Sequence, residues 1–384
     1  FGGVPIITKA YTLEDSDYSV TRNTYEECVD FILQDLDEAI EHLPAKMEGE
    51  NKGRASADAC KALKSRVLLY AASPLVNTSN DLKKWELARD AAKAVIDLPG
   101  YSLASDYRTL FLEDNDEVIF RRYYTKANAN RVNLFNSPNG YGGWGGNCPI
   151  QNLVDDYEMI DGSKFDWNNP EHAKDPFTNR DPRLYETVLV NGDYFQGRTA
   201  QLYIGGEERG PMNDLQCKTG FGTRKFLWER DDATLSYRVV NYPYLRLPEI
   251  YLSYAEALNE TGRIGEAYSW INKVRNRVDL PNLPQVYSKE ELREEILDER
   301  AREFAFEEVR WFDLVRWKRE DIFKQDLHGL YIYKTNNPDN PFTYEQWKLP
   351  ERYWKKNWSP KWYFSAFPPS EVNKRYGLIQ NPGW

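Results

Sequence analysis

Between Tyr244 and Trp317 the apolar positions follow the period of paired helices. Tyr251, Tyr254, Ala255 and Leu258 recur at helical spacing, Gly262 breaks the run, and Ile264, Ala267, Ile271 and Val274 resume it. Small Ala255 and Ala267 permit close helix contact, and the hairpin matches the length of a tetratricopeptide unit, about 34 residues. A highly charged helix follows and runs into aromatic residues. Nearer the start, Thr24 and Glu27 form a capping-box pattern, after which Tyr25, Cys28, Ile32, Leu36, Ala39 and Leu43 make one apolar face that stops at Pro44. A second helix is predicted over 56–72, ending before Ser73-Pro74. A third begins after Asp81, shows Trp85, Ala88, Ala92 and Val95 on one side, and ends at Pro99-Gly100. The second and third pair as a hairpin, whereas the first has no upstream partner. Repeat helices need neighbours to bury their faces, so its mate is expected before Phe1 and its face is expected partly exposed.

Residues 101–243 differ in character. Gly, Pro, Asn and Asp are frequent, and strand-like runs occur at Val118–Tyr123, Leu184–Val190 and Gln201–Ile204. The pattern reads as a large inserted lobe between repeat hairpins, where insertions tend to collect on the binding face. Beyond Trp317 the chain turns irregular and aromatic, with Trp347, Trp354, Trp358 and Trp362 covering the helices or facing a partner. The expected architecture is therefore mainly α. A helical-hairpin scaffold (1–100 and 244–320) carries an irregular α+β lobe (101–243) and an irregular C-terminal segment (321–384), all in a single unit of 384 residues.

Charge narrows the chemistry. Lys and Arg number 50 against 60 Asp and Glu, a net charge of -10, which argues against nucleic acid or an anionic membrane surface as partner. The run Asp298–Arg316 interleaves Glu299, Glu303, Glu307 and Asp313 with Arg300, Arg302, Arg310 and Arg316. Helical spacing would set Asp298 beside Arg302 and Glu307 beside Arg310. Carboxylates among arginines keep low pKa values, the opposite of what a general acid needs, so Glu303 and Arg310 are assigned to scaffold stability. His42, His172 and His328 are far apart with no HExxH, and GYGGWGG lacks the Lys-Ser/Thr of a phosphate loop. No metal, cofactor or catalytic constellation is expected. The Asp/Asn cluster of Asp166–Asp181 lacks EF-hand spacing and reads as solvated turns. Cys28, Cys60, Cys148 and Cys217 are widely spaced with no CxxC, and Cys28 and Cys60 read as buried helix positions.

Aromatic residues make up 14% of the chain, with 12 Trp and 26 Tyr. Their flat apolar faces and polar edges suit wet binding surfaces. The segment Asn139–Asn147, NGYGGWGGN, places Tyr141 and Trp144 between glycines that leave them unshielded, with Asn139 and Asn147 as amide partners. Either these rings meet a ligand or the loop folds Trp144 back onto the scaffold. Tyr194 and Phe195, after Asn191-Gly192, and Tyr203, before Gly205-Gly206, are weaker candidates of the same kind.

LPEIYLSYAEALNETG…EAYSWINKVRNRV, ERAREFAFEEVRWFDLVRW and the terminal FPPSEVNKRYGLIQNPGW resemble the SusD-like (RagB/SusD) glycan-binding lipoproteins of Bacteroidetes. FGGVPI, TYEECVDFILQDLDEAIEHLP, PIQNLVDDYEMIDG and NRDPRL extend the resemblance over nearly the whole chain in order. It implies a non-catalytic protein that captures an oligosaccharide and delivers it to a SusC-like TonB-dependent transporter. It also implies a lipid anchor at the outer-membrane surface. In that family the GGVP-like motif follows a signal peptide, a lipidated Cys and the first helices, none of which is present here, so the family's N-terminal segment is expected to be missing. The alternative from the helices themselves is a tetratricopeptide-type protein-interaction scaffold without glycan binding.

Overall fold

The computed structural model describes residues 1–229, 239–351 and 353–384, and of Tyr353 and Trp354 the backbone only. Trp354 as an aromatic contact and residues 230–238 of the lobe thus lie outside the described residues. The chain forms two compact units: residues 1–95, 311–325 and 352–384, and residues 96–310 and 326–351. Among the described residues no helix is long and apolar enough to cross a membrane.

In the first unit the helix Tyr25–His42 opens with the expected capping box. Thr24 Oγ1 accepts from Glu27 N–H, and the Glu27 carboxylate accepts from Thr24 N–H. Cys28 and Leu36 are buried on its inner face while Ile32 is exposed. It packs on Ala57–Ala72, N-capped by Ser56, whose alanines 57, 59, 62, 71 and 72 are all buried and allow close approach. The helix Leu82–Ile96 buries Trp85, Ala88, Ala92 and Val95, as its spacing predicts. Trp85 stacks on Trp317 with centroids 5.8 Å apart, and buried Arg316 pairs with Asp313 and donates to Ser73 Oγ. Trp358 stacks on Phe323 at 4.5 Å, within a cluster of Leu314, Val315 and Tyr363.

The second unit is built on Leu247–Glu260 and Ile264–Asn276, an antiparallel hairpin turned at Gly262, where φ is +81°. Every residue of the first of these helices except Tyr251 is buried. The charged helix Lys289–Glu303 packs against it and has its own capping box, from Ser288 and Glu291. That helix stops earlier than the sequence suggests. Phe306 and Glu308 take left-handed backbones, and a new helix, Arg310–Arg316, begins beyond them. Glu307 therefore does not stand beside Arg310 on a helix face.

Sheet is sparse in this unit. Val118–Arg122 pairs antiparallel with Tyr242–Arg246. Leu184–Val190 is not one strand: Asp181 caps a helix over Pro182–Thr187, and only Val188–Leu189 is extended, paired with Gly222–Thr223. Gln201–Ile204 is not a strand. Conversely, the region read as irregular holds a hairpin of two seven-residue strands, His328–Lys334 with Phe342–Lys348. Its Leu330 and Ile332 are buried among Val154, Tyr157, Leu184 and Phe221. Trp347 lies flat on Tyr331 across the strands, with centroids 5.1 Å apart.

The carboxylates of the charged helix and its continuation meet partners mostly far away in sequence, the pair Glu299–Arg302 on the helix itself excepted. Glu303 accepts from Arg183, Arg246 and Arg277; Glu299 pairs with Arg183, Arg275 and Arg302; Glu307 pairs with Arg246 and Lys225. Glu117 joins Arg246 and Arg277, Glu158 joins Arg275 and Arg302, and Asp181 closes on Arg183. Among the described residues, the side chains of the six carboxylates and six cations in these pairs are all buried, with the guanidinium forks engaged. Burial alone would push the Glu299 carboxyl up, but Arg183, Arg302 and Arg275 reverse this and hold it at about 2. Burial acts in the same direction on Glu303, and Arg277, Arg246 and Arg183 keep it well below the usual carboxylate range. Burial lowers the Lys225 ammonium to about 8, against the pull of Glu307. Asp298 faces Lys164 at 3.6 Å.

Candidate functional site

The glycine-rich segment is a folded loop, not a loose one. A short helix, Val132–Asn136, leads through Pro138 into a 3-10 turn at Asn139–Tyr141, and Gly142 reverses the chain at φ +80°. The returning strand lies on what it has just left: Trp144 N–H donates to Leu134 C=O, Gly145 N–H to Ser137 C=O, and Gly146 N–H to Phe135 C=O, at 2.7–3.0 Å. Gly143 is buried, and a Cβ there would overlap the Ser137 backbone carbonyl. The glycine is thus required by close approach. Gly143→Ala should destabilise the protein by about 1–3 kcal/mol, the usual cost of overpacking, read as a lower midpoint in chemical denaturation.

Trp144 is the residue this folding leaves outside. Its side chain is 64% exposed and meets the 38%-exposed Phe135 edge-on, with centroids 4.9 Å apart at 62°. Beside this aromatic pair, Asn147 Nδ2 donates to Asn136 Oδ1 at 2.9 Å, and Asn139 is exposed. Tyr141 points the other way. Its ring stands edge-on to Phe195 at 5.1 Å and lies beneath the Arg198 guanidinium at 4.0 Å, and burial raises its hydroxyl to about 12. Phe195 is wholly buried with Leu189, Ala200, Leu202 and Leu227, so it supports Tyr141 from the core.

The hairpin Tyr194–Phe195 with Arg198–Thr199 is tied to the loop: Arg198 donates to Gly140 C=O at 2.9 Å and pairs with buried Glu208. Tyr194 is 66% exposed on this hairpin. Tyr203 sits elsewhere, packed on Phe342 at 5.6 Å with its hydroxyl on Gln201. The fold therefore brings Asn139, Tyr141, Trp144, Asn147, Tyr194 and Phe195 into one linked substructure and leaves Tyr203 in another cluster.

Sequence reasoning missed Phe135, which pairs with Trp144 only because the loop doubles back. It also missed a cleft of about 370 Å³ whose lining includes Tyr185, Asn191, Asp193, Asn340, Phe342 and Tyr344. Those residues come from three separated segments, and burial raises the Asp193 carboxyl there to about 6. In the Asp166–Asp181 segment, Asp166, Asn169, Asp175 and Asp181 accept hydrogen bonds within their own turns, and Arg180 is buried there, donating to the carbonyls of Val154, Tyr157 and Pro176. Among the described residues, no group of three or more His, Cys, Asp or Glu is placed to hold a metal ion.

A helical-hairpin scaffold bearing an exposed aromatic loop defines the class. Residues 116–384 match the SusD family, and residues 1–69 match a family described as starch-binding and associating with the outer membrane. The chain belongs to the SusD family. A SusD-like protein, P38, of Formosa agariphila is 25% identical over 363 residues, 86% of this chain and 65% of its own length. A SusD-like protein of Bacteroides ovatus is 25% identical over 77% of this chain and 52% of its own. The chain thus spans between half and two thirds of these relatives. Among solved structures, a SusD-like protein of Bacteroides fragilis matches at TM-score 0.81 and 31% identity, covering all of this chain and 76% of that one. A laminarin-binding SusD-like protein matches the fold at TM-score 0.62 and 23% identity, again over the whole chain and 74% of the other.

Proposed function

We propose that the protein binds an oligosaccharide or polysaccharide fragment without chemically altering it, at the surface of a bacterial outer membrane. The complete protein would be held there by a lipid anchor and would pass its ligand to a SusC-like TonB-dependent transporter. In this reading the helices of 1–100 and 244–320 serve as scaffold, and residues 101–243 carry the ligand face.

The observation that carries the proposal is Trp144, a large ring exposed on a loop whose backbone is pinned by hydrogen bonds. An exposed indole costs little conformational entropy when it meets a ligand, because its position is already set. Sugar rings offer C–H faces to such planes, and the neighbouring Asn136–Asn147 amides and Asn139 match sugar hydroxyls as donors and acceptors. Membership of the SusD family supports the same reading. The alternative, a peptide-binding repeat scaffold, needs a free helical groove. Burial of nearly all of Leu247–Glu260 leaves no open face on that helix.

The test is a calorimetric screen of the protein against neutral and acidic oligosaccharides, with chromatography of each ligand afterwards. Saturable binding with the ligand recovered intact is expected. Shortened products would make the protein an enzyme, and silence across the panel would favour a protein partner.

A further inference from the structure

We propose that Cys148 and Cys217 are a redox pair that closes to a disulfide, covalently fastening the loop that carries Trp144. The two residues are far apart in sequence and meet at Gly145. Cys148 Sγ lies 3.3 Å from Gly145 C=O, and a Cβ built on Gly145 would stand 3.6 Å from Cys217 Sγ. Cys217 belongs to one apolar cluster with Leu189, Phe195 and Leu202, and Cys148 packs against that cluster, so that each thiol influences the ionisation of the other. Cys217 is fixed in place. Its backbone is left-handed at φ 40°, a conformation that costs a non-glycine residue energy. The turn is closed by Gly220 N–H on Cys217 C=O, and the buried Arg209 guanidinium donates to the same carbonyl at 2.9 Å. Cys28 and Cys60 offer no comparable arrangement. Each is buried on its own helix, and the Cys28 thiol is engaged by the Val4 backbone.

The pair is asymmetric in the way that thiol–disulfide exchange requires. Cys148 is half-buried and Cys217 is buried. The neighbouring Cys217 lowers the Cys148 thiol, with the Lys218 backbone adding to it, whereas Cys148 and burial push Cys217 up. Cys148 is therefore the attacking thiolate. It displaces one sulfur of an exogenous disulfide, giving a mixed disulfide and releasing one thiolate, which takes up the Cys148 proton. Cys217 then loses its proton and attacks Cys148 Sγ, forming the internal bond and expelling the second thiol. Two protein thiols are oxidised as one disulfide of the oxidant is reduced to two thiols. An extracytoplasmic compartment supplies such disulfides.

The proposal does not rest on the glycan reading, and its test uses no sugar. The protein, fully reduced, is incubated with oxidised glutathione, then alkylated under denaturing conditions and digested for mass spectrometry. The expected result is loss of two hydrogens, one cross-linked peptide joining residues 148 and 217, and alkylated Cys28 and Cys60. Cys217→Ser should trap glutathione on Cys148, and Cys148→Ser should yield neither cross-link nor adduct. The oxidised protein should unfold several degrees above the reduced one. Four alkylated thiols after oxidation, or a glutathione adduct on Cys148 that persists with Cys217 intact, would overturn the proposal.

Discussion

Glu303→Ala should cost about 3–5 kcal/mol of stability, the range expected when one partner is removed from a buried ionic cluster. Glu303 is wholly buried and accepts from three guanidiniums, those of Arg183, Arg246 and Arg277. Without it these cations face one another with less compensation, in a place water does not reach. Asp321→Ala, which removes an exposed pair with Arg319, should change stability little, because solvent already screens that contact. Urea titration of both variants checks the contrast, and equal midpoints would show that the cluster is not a stability element. Acid should attack the same cluster. The Glu299 carboxyl titrates at about 2 when folded and near 4.5 otherwise. A lowered folded pKa means a contribution fully present above 4.5 and progressively lost as pH falls towards 2. Stability should therefore drop through that window, and less steeply in Glu299→Gln.

Trp144→Ala should weaken glycan binding at least about tenfold, since losing an aromatic hot spot costs about 2 kcal/mol or more. The fold should be unaffected, because the loop is held by backbone hydrogen bonds and the ring packs chiefly on Phe135. Phe135→Ala should show a smaller loss through disturbed ring orientation. Calorimetry on the best ligand of the screen, together with an unchanged melting curve, checks both. Full affinity in Trp144→Ala would move the ligand elsewhere on the protein, with the aromatic and amide-lined cleft of Asn191, Asn340 and Tyr344 next to be tried.

What the sequence revealed was local. The Thr24–Glu27 cap, the Trp85–Val95 face and the hairpin turned at Gly262 each depend on residues a few positions apart. Exposure of Trp144 was foreshadowed by its glycines, although they serve close packing rather than freedom. The misses share a cause in distance. Glu307 finds Lys225 and Arg246 because left-handed Phe306 and Glu308 end the helix, and no spacing rule encodes that choice. The hairpin of 328–348 escaped notice because Tyr331 and Tyr333 alternate with Leu330 and Ile332, so both faces look apolar. Cys148 and Cys217 were simply too far apart to be read as a pair.

The reach of the ionic cluster also dictates when it can exist. Glu117 waits for Arg277, 160 positions on, and Arg183 waits for Glu299, 116 positions on. A nascent chain that has passed Arg183 and Arg246 but not yet Glu303 can offer them Asp181 and Glu117 but only part of their final compensation, so premature burial of these cations is opposed electrostatically. Its folding should be slow and late, dominated by contacts of long sequence separation. The order in which these partners leave the ribosome thus sets a timetable for closure, written into the core itself.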